Sequence, residues 1–276
     1  MHGLVLQSPG SIFLQLGPFT IRWYGIMFAL GFICVLVTGT RLGKKFGFKD
    51  EDVINCALLN FVAGVIGARL YFVALKWDYF CNHLDQIGAT WLGGLSIHGG
   101  VTGAMIATAI FCRRAGISFF SMCDVLAAAM PLAQAVGRWG NFFNSELFGQ
   151  PVPDDFPIKV FIPPQLRPDT AKSFSYFHAT FLYESVWDLL LFLFLYFYVV
   201  RKFKDKPFFT SLVYIAGYNL GRLLIEPLRM DSIMVNIAGN AVQSPMIASA
   251  LCLFFAVVGM VIVLVRKKPV QDKALS

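Results

Sequence analysis

The chain has 276 residues, 57% of them hydrophobic and 14% charged, with a formal net charge of +7. Soluble domains carry about 25% charged residues, so a wetted globular surface is excluded first. The positive excess then calls for a membrane reading rather than a nucleic-acid partner.

Taken in chain order, the apolar runs predict about seven spans, each close to the roughly 20 residues a bilayer requires. They run over 21–40, 53–75, 92–112, 119–136, 179–200, 208–225 and 245–265. Basic residues gather after the odd-numbered spans: Arg41, Lys44, Lys45 and Lys49, then Arg113 and Arg114, then Arg201, Lys202, Lys204 and Lys206, then Arg266, Lys267, Lys268 and Lys273. The other connections are poorer, with Lys76 alone after the second span and Arg229 after the sixth. The alternation predicts an N-terminus outside and a C-terminus in the cytoplasm. The segment before the first span lacks a basic cluster and a small-residue cleavage site, so it does not read as a removable signal peptide. The tail after Val265 is expected to fray.

The expected fold is therefore all-α and polytopic, a single integral membrane domain over 1–276. One connection departs from the usual length. Residues 138–178 make a loop of about 40 residues, with Pro151, Pro153, Pro157, Pro163, Pro164 and Pro168, so it is not one long helix. By the topology it is a small extracytoplasmic insertion between spans four and five. The six cysteines show no metal-type pairing and read as small buried apolar residues.

Polar groups inside spans carry the functional signal, because a charge at the bilayer centre costs about 2.5–3.5 kcal/mol even on insertion scales. These are Tyr24, Arg69, His98 within GGLSIHGG, Arg138, Asn141, Asn144, Glu146, His178, Tyr183, Glu184, Asn219, Arg222 and Glu226. The predicted topology brings most of them to one depth, within roughly 10 Å of the outer boundary, which points to a polar cavity opening toward the outer leaflet. Each has a plainer reading. Arg222 and Glu226 are four apart and form a candidate buried ion pair. Arg69 serves equally as structure, His98 as a hydrogen-bonded core histidine and Tyr24 as an interfacial anchor. Glycines 93, 94, 99, 100 and 103 permit either close helix packing or approach of a head group. Asp124 and Asp188 lie away from this set and read as structural.

The stretch GRWGNFFNSELFG, from Gly137 to Gly149, follows the apolar run of span four. If the helix continues, Arg138, Asn141 and Ser145 share a face, with Gly137, Gly140 and Gly149 clearing side chains around it. A guanidinium fork beside amide donors suits a phosphate or another oxyanion. A polar plug satisfying its own backbone is the structural alternative.

This stretch resembles the signature of the bacterial prolipoprotein diacylglyceryl transferases. The resemblance extends in order to Tyr24-Gly25, to His98-Gly99-Gly100, to His178 with Leu182-Tyr183-Glu184, and to Arg222, Glu226 and Arg229. It implies transfer of the diacylglyceryl group of phosphatidylglycerol to the lipobox cysteine thiol of a prolipoprotein signal peptide. The product is a thioether, and glycerol phosphate leaves at the outer face of the cell inner membrane. Arg138 and Arg222 are then the clamp on the phosphate, and His98 the base for the thiol. Asn141 and Asn144 orient head-group oxygens, Glu146 and Glu226 hold the arginines, and Tyr24 either binds the glycerol head group or assists proton transfer. Gly149 leaves room for the ligand. No metal-ligand cluster or nucleotide loop is present in the sequence, so no cofactor and no metal are expected. The rival readings are a transporter or lipid-translocating protein with an outward-facing polar cavity, and a non-enzymatic lipid-binding scaffold.

Overall fold

A computed structural model describes residues 3–90, 93–232, 234–237 and 240–266. Leu92 at the start of the third predicted span lies outside these residues. So does the tail with Lys267, Lys268 and Lys273.

Among the described residues, seven helices of 17 residues or more lie over the predicted apolar runs. They are α1 (Trp23–Lys45), α2 (Asp50–Leu75), α3 (Ile97–Ala115), α4 (Phe119–Asn144), α5 (Thr180–Phe203), α6 (Phe209–Ile225) and α7 (Ser244–Val265). Five of them, α1, α2, α4, α5 and α7, are long and apolar enough to cross a membrane. The helices α3 and α6 are shorter, at 19 and 17 residues. The ends follow from local chemistry. Asp50, Glu51 and Asp52 occupy the first turn of α2, where acids complement the helix dipole. Gly116 takes a left-handed conformation and closes α3 through its N–H to the Cys112 carbonyl. In α7 only Ser249 and Ala256 are buried, so nearly the whole helix presents an apolar surface. That exposure, unsupportable in water, marks an integral membrane protein.

Two helices differ from their predicted spans in an instructive way. The third predicted span begins at residue 92, but α3 starts only at Ile97, because Gly93 and Gly94 have φ of 85° and 79° and break the helix. The fourth was expected to end near residue 136. Instead α4 runs eight residues further, carrying GRWGNFFN on helical backbone.

The chain is mostly helical, as expected, but among the described residues the segment before α1 and the connections also hold seven short strands. A three-stranded sheet joins β1 (Leu4–Gln7), β4 (Ile158–Phe161) and β5 (Tyr176–His178). In it β1 runs parallel to β4 with Leu4 opposite Ile158, and β4 runs antiparallel to β5 with Lys159 opposite His178. Two hairpins, β2 (Ile12–Leu16) with β3 (Phe19–Arg22) and β6 (Met234–Ile237) with β7 (Asn240–Gln243), precede α1 and α7. Strands of three to five residues are too short to leave a periodic trace in a membrane sequence. The sheet covers a small apolar core of Phe142, Val160, Ile162, Phe177 and Phe181, with Phe142 and Phe181 stacked at 4.8 Å. The connection 145–178 is thus a compact cap seated on the end of α4.

The chain divides into two compact units, one of residues 1–34 with 127–276 and one of residues 35–126. In the second, α2 and α3 pack through a seam of small residues. A Cβ on Gly99 would collide with the Gly67 carbonyl and the Tyr71 side chain, and one on Gly103 with the Ala63 carbonyl. Glycine at these positions lets the two backbones touch, the usual basis of helix association in lipid.

Candidate active site

The first unit gathers a buried ionic cluster from α4, α5, α6 and the turn that follows α6. Glu184 on α5 is its hub. Its Oε2 lies 2.9 Å from Arg138 Nη1, and its Oε1 lies 3.1 Å from Arg229 Nη1 and 3.4 Å from Arg222 Nη1. The second nitrogen of Arg222 reaches Glu226 Oε2 at 2.6 Å, and Ser232 donates to the other oxygen of Glu226 at 2.7 Å. Arg229 forms a bidentate pair with Asp231 at 3.0 and 2.6 Å. The carboxylates Glu184 and Glu226 are 5% and 2% exposed, whereas Arg138 and Arg222 keep 15% and 20%. The guanidinium groups therefore form the accessible edge of the cluster.

Local sequence explains the convergence. Arg222 and Glu226 meet by four-residue spacing. Ser185 fixes α5 to α4 by donating to the Ala135 carbonyl at 2.8 Å, which places Glu184 opposite Arg138. Trp187 lies against α6, its indole N–H donating to the Gly217 carbonyl at 2.9 Å. A cavity of about 10 Å³ remains, lined by Arg138, Glu184, Asp188, Tyr218 and Arg222 among others.

Asp188 contradicts its sequence reading as a bystander. It lines that cavity and faces Arg138 Nε at 3.7 Å, with its side chain 3% exposed. The signal that finds it is its position four residues after Glu184, which puts both acids on one face of α5. Arg229 was likewise read only as part of a motif, yet it is a buried member of the cluster.

The opening motif divides between two places. Arg138 joins the cluster, whereas Asn141 and Asn144 both donate to Glu146 Oε1, at 2.9 and 3.3 Å. Glu146 was expected to hold an arginine. Among the described residues it makes no ion pair with an arginine; its carboxylate accepts from the two asparagines instead. The Ser145 N–H bonds to the Phe142 carbonyl and the Glu146 N–H to the Asn141 carbonyl, each at 3.0 Å. These two bonds make a Schellman ending with Ser145 at φ 53° in the position usually given to glycine. The turn folds Glu146 back onto the helix end, and the expected helical face through Ser145 is broken.

The remaining predicted residues sit as follows. Tyr24, 47% exposed, opens α1 and packs on Gly140, where a Cβ would come within 2.9 Å of the ring. Gly149 seals the cap: its N–H donates to the His178 carbonyl at 3.0 Å, and a Cβ would lie 2.7 Å from the Leu228 carbonyl. Burial holds the His178 imidazole below its ordinary pKa, so the ring is neutral at pH 7. Its Nδ1 lies 3.3 Å from the Tyr183 hydroxyl.

The second unit holds His98 and Arg69. His98 stands exposed in the first turn of α3, its ring 6.1 Å from that of Tyr71. Arg69 is buried without a carboxylate. Its guanidinium donates to the carbonyls of Gln86, Ile87, Gly93 and Gly94 at 2.6, 2.7, 2.6 and 3.0 Å, and it lies over the rings of Phe72 and Phe80. Its fork is consumed in pinning the loop that leads to α3, a structural role.

Apolar helices around a buried arginine–carboxylate cluster, capped by a small sheet, define an integral membrane protein with a site suited to an anionic group. Residues 11–265 match the model of the prolipoprotein diacylglyceryl transferase family, LGT, and the chain belongs to that family. It is similar to the phosphatidylglycerol–prolipoprotein diacylglyceryl transferase of Acaryochloris marina, with 42% identity over 237 residues, 85% of each chain. The protein of the same name from Synechocystis sp. is 44% identical over 233 residues, 83% of this chain and 82% of that one. The one from Trichormus variabilis is 36% identical over 276 residues, 99% of this chain and 96% of that one.

Proposed function

We propose that this protein transfers the diacylglyceryl group of phosphatidylglycerol to the lipobox cysteine thiol of a prolipoprotein. The observation that carries this reading, beyond family membership, is the pair of accessible guanidinium groups at the edge of a buried carboxylate cluster in an apolar frame. In the reaction, the cysteine sulfur attacks the glyceryl carbon that bears the phosphate ester. A C–S bond forms, the C–O bond breaks, and glycerol phosphate leaves with the negative charge. Stabilising that charge is the main electrostatic task, and Arg138 and Arg222 are suited to it because a planar fork matches phosphate oxygens. Glu226 holds Arg222 toward the site, and Glu184 aligns both.

A cysteine thiol has an ordinary pKa near 8.5 and is a poor nucleophile until ionised. His98, exposed at the start of α3, is assigned as the base that takes its proton. Asn141, Asn144 and Glu146 form one hydrogen-bonded group assigned to the glycerol head group, together with Tyr24. Gly149 keeps the cap closed on that group. No cofactor enters the scheme.

The same reading makes the chain one integral membrane domain of seven spans in the cell inner membrane, with the 138–178 insertion outside and the C-terminus in the cytoplasm. Cysteines introduced in the loops 44–49 and 201–206 are expected to resist impermeant thiol reagents in intact cells. Labelling of either loop from outside reverses the orientation. The function is tested by incubating the purified protein with labelled phosphatidylglycerol and a lipobox peptide. Covalent thioether product is expected, whereas lipid binding or movement without product would instead indicate a translocating protein or a scaffold.

A further inference from the structure

The ionic cluster holds three guanidinium groups, of Arg138, Arg222 and Arg229, and four carboxylates, of Glu184, Asp188, Glu226 and Asp231. Fully ionised, it carries one net negative charge before any substrate arrives. Phosphatidylglycerol brings another, and its leaving phosphate gathers more. A buried site does not accumulate like charge, because the interior screens poorly. A carboxylate that gives up its charge as the lipid anion arrives removes that excess.

The geometry identifies which. Glu184 receives three guanidinium groups, and Glu226 receives Arg222 and Ser232. Asp231 has its bidentate partner and 42% exposure. Asp188 is the most weakly held: its ion pair with Arg138 Nε, at 3.7 Å, is the longest in the cluster, and its Oδ2 is buried with no hydrogen-bond partner among the described residues. The groups facing it are Arg138 from α4, Glu184 one turn away on α5, and Tyr214, Tyr218 and Arg222 from α6. The cavity of about 10 Å³ that it lines has room for a single water to carry a proton.

We propose that Asp188 is the charge-compensating residue of the site, taking up a proton when the anionic head group of the lipid donor engages Arg138 and Arg222. This rests on the reading of the arginine cluster as the head-group seat. Asp188 acts through Arg138: while ionised it competes for the guanidinium, and once neutral it releases the fork to the phosphate. The thiol proton is a separate matter and goes to His98.

The test is isothermal titration of the full-length protein in neutral detergent with phosphatidylglycerol, in two buffers of different ionisation enthalpy. The expected result is uptake of up to one proton per lipid bound, with affinity falling up to about tenfold per pH unit above the titration of Asp188. Asp188→Asn should bind lipid with no proton uptake and a flat pH profile between roughly pH 6 and 8, and Asp188→Glu should restore the uptake. A purely structural aspartate would leave the proton count unchanged. Lipid binding by the unmodified protein without proton uptake overturns the inference by itself, whether or not the asparagine variant folds. Equal uptake in the asparagine variant does the same. Thioether formation by the same preparation is measured in parallel, so a failed proton count with intact transfer sinks only this inference. Absence of both binding and transfer sinks the transferase reading and this inference together.

Discussion

Arg69 and Arg138 both stand in apolar helices, the first buried and the second half-buried, yet their surroundings differ in kind. Arg69 donates to four main-chain carbonyls and lies over two phenyl rings. Arg138 pairs with carboxylates, one close and one distant. Carbonyls belong to the backbone and cannot leave, so the first arrangement is permanent. Carboxylates are anions, and a phosphate is a better one for the same fork. An arginine among carbonyls organises the chain, whereas one among carboxylates is poised for ligand exchange.

The sharpest way to break this contrast is to remove the fork at the exchange site. Arg138→Ala and Arg222→Ala are each expected to lower transfer by at least about 10²–10³-fold, the range for losing one preorganised donor to a developing anion. Arg138→Lys should recover little, since an ammonium cannot supply the planar pair of donors. Single-turnover thioether formation, normalised to folded protein, measures both. A lysine variant at full rate would show that charge alone suffices.

The reciprocal substitution acts on stability. Arg69→Ala takes the donor from four partly buried main-chain carbonyls, each costing up to about 1–3 kcal/mol where no water replaces it. The expected outcome is a clear drop in thermal midpoint in detergent, with the rate per folded molecule within about tenfold of the parent. A larger loss of rate at unchanged stability would place Arg69 in the chemistry and end the contrast.

Two smaller effects sharpen the picture of the cap. Ser145→Gly should stabilise the protein by up to about 1–2 kcal/mol, the typical cost of a left-handed residue with a side chain, read as a raised thermal midpoint. The His178 ring, held below its ordinary pKa by burial, should titrate below about 6.5 by NMR. The unfolded chain then binds the proton more readily than the folded one. Stability is unaffected above pH 7 and declines as pH falls below about 6.5. Titration at or above the free value would mean that the cap is open around that ring.

The helices were legible because a membrane sequence writes them as long apolar runs with basic ends, and six of the seven begin within three residues of expectation. Arg222 with Glu226 was legible from spacing alone. Asp188 was not, because it stands before LLLFLF and resembles an isolated polar interruption, although its distance from Glu184 is the same four residues. The partners of Arg69 could not be read at all, since a main-chain carbonyl has no residue identity. Glu146 was misplaced for a different reason: one left-handed serine turns the chain, and nothing in the composition of NSELFG announces it. The strands escaped for want of length, and the pairing of β1 with β4 for want of any local signal.

That last pairing has a consequence for how the protein is made. Leu4 finds its parallel partner Ile158 only after roughly 150 intervening residues, a distance at which chain closure is slow. During synthesis β1 must wait, its edge unpaired, while the four long helices α1 to α4 are made. Such an edge is open to any other strand that passes. The cap is therefore a late event in biogenesis. A ribosome stalled before residue 158 would leave a chain with several helices inserted and its cap still lacking the strand that β1 needs.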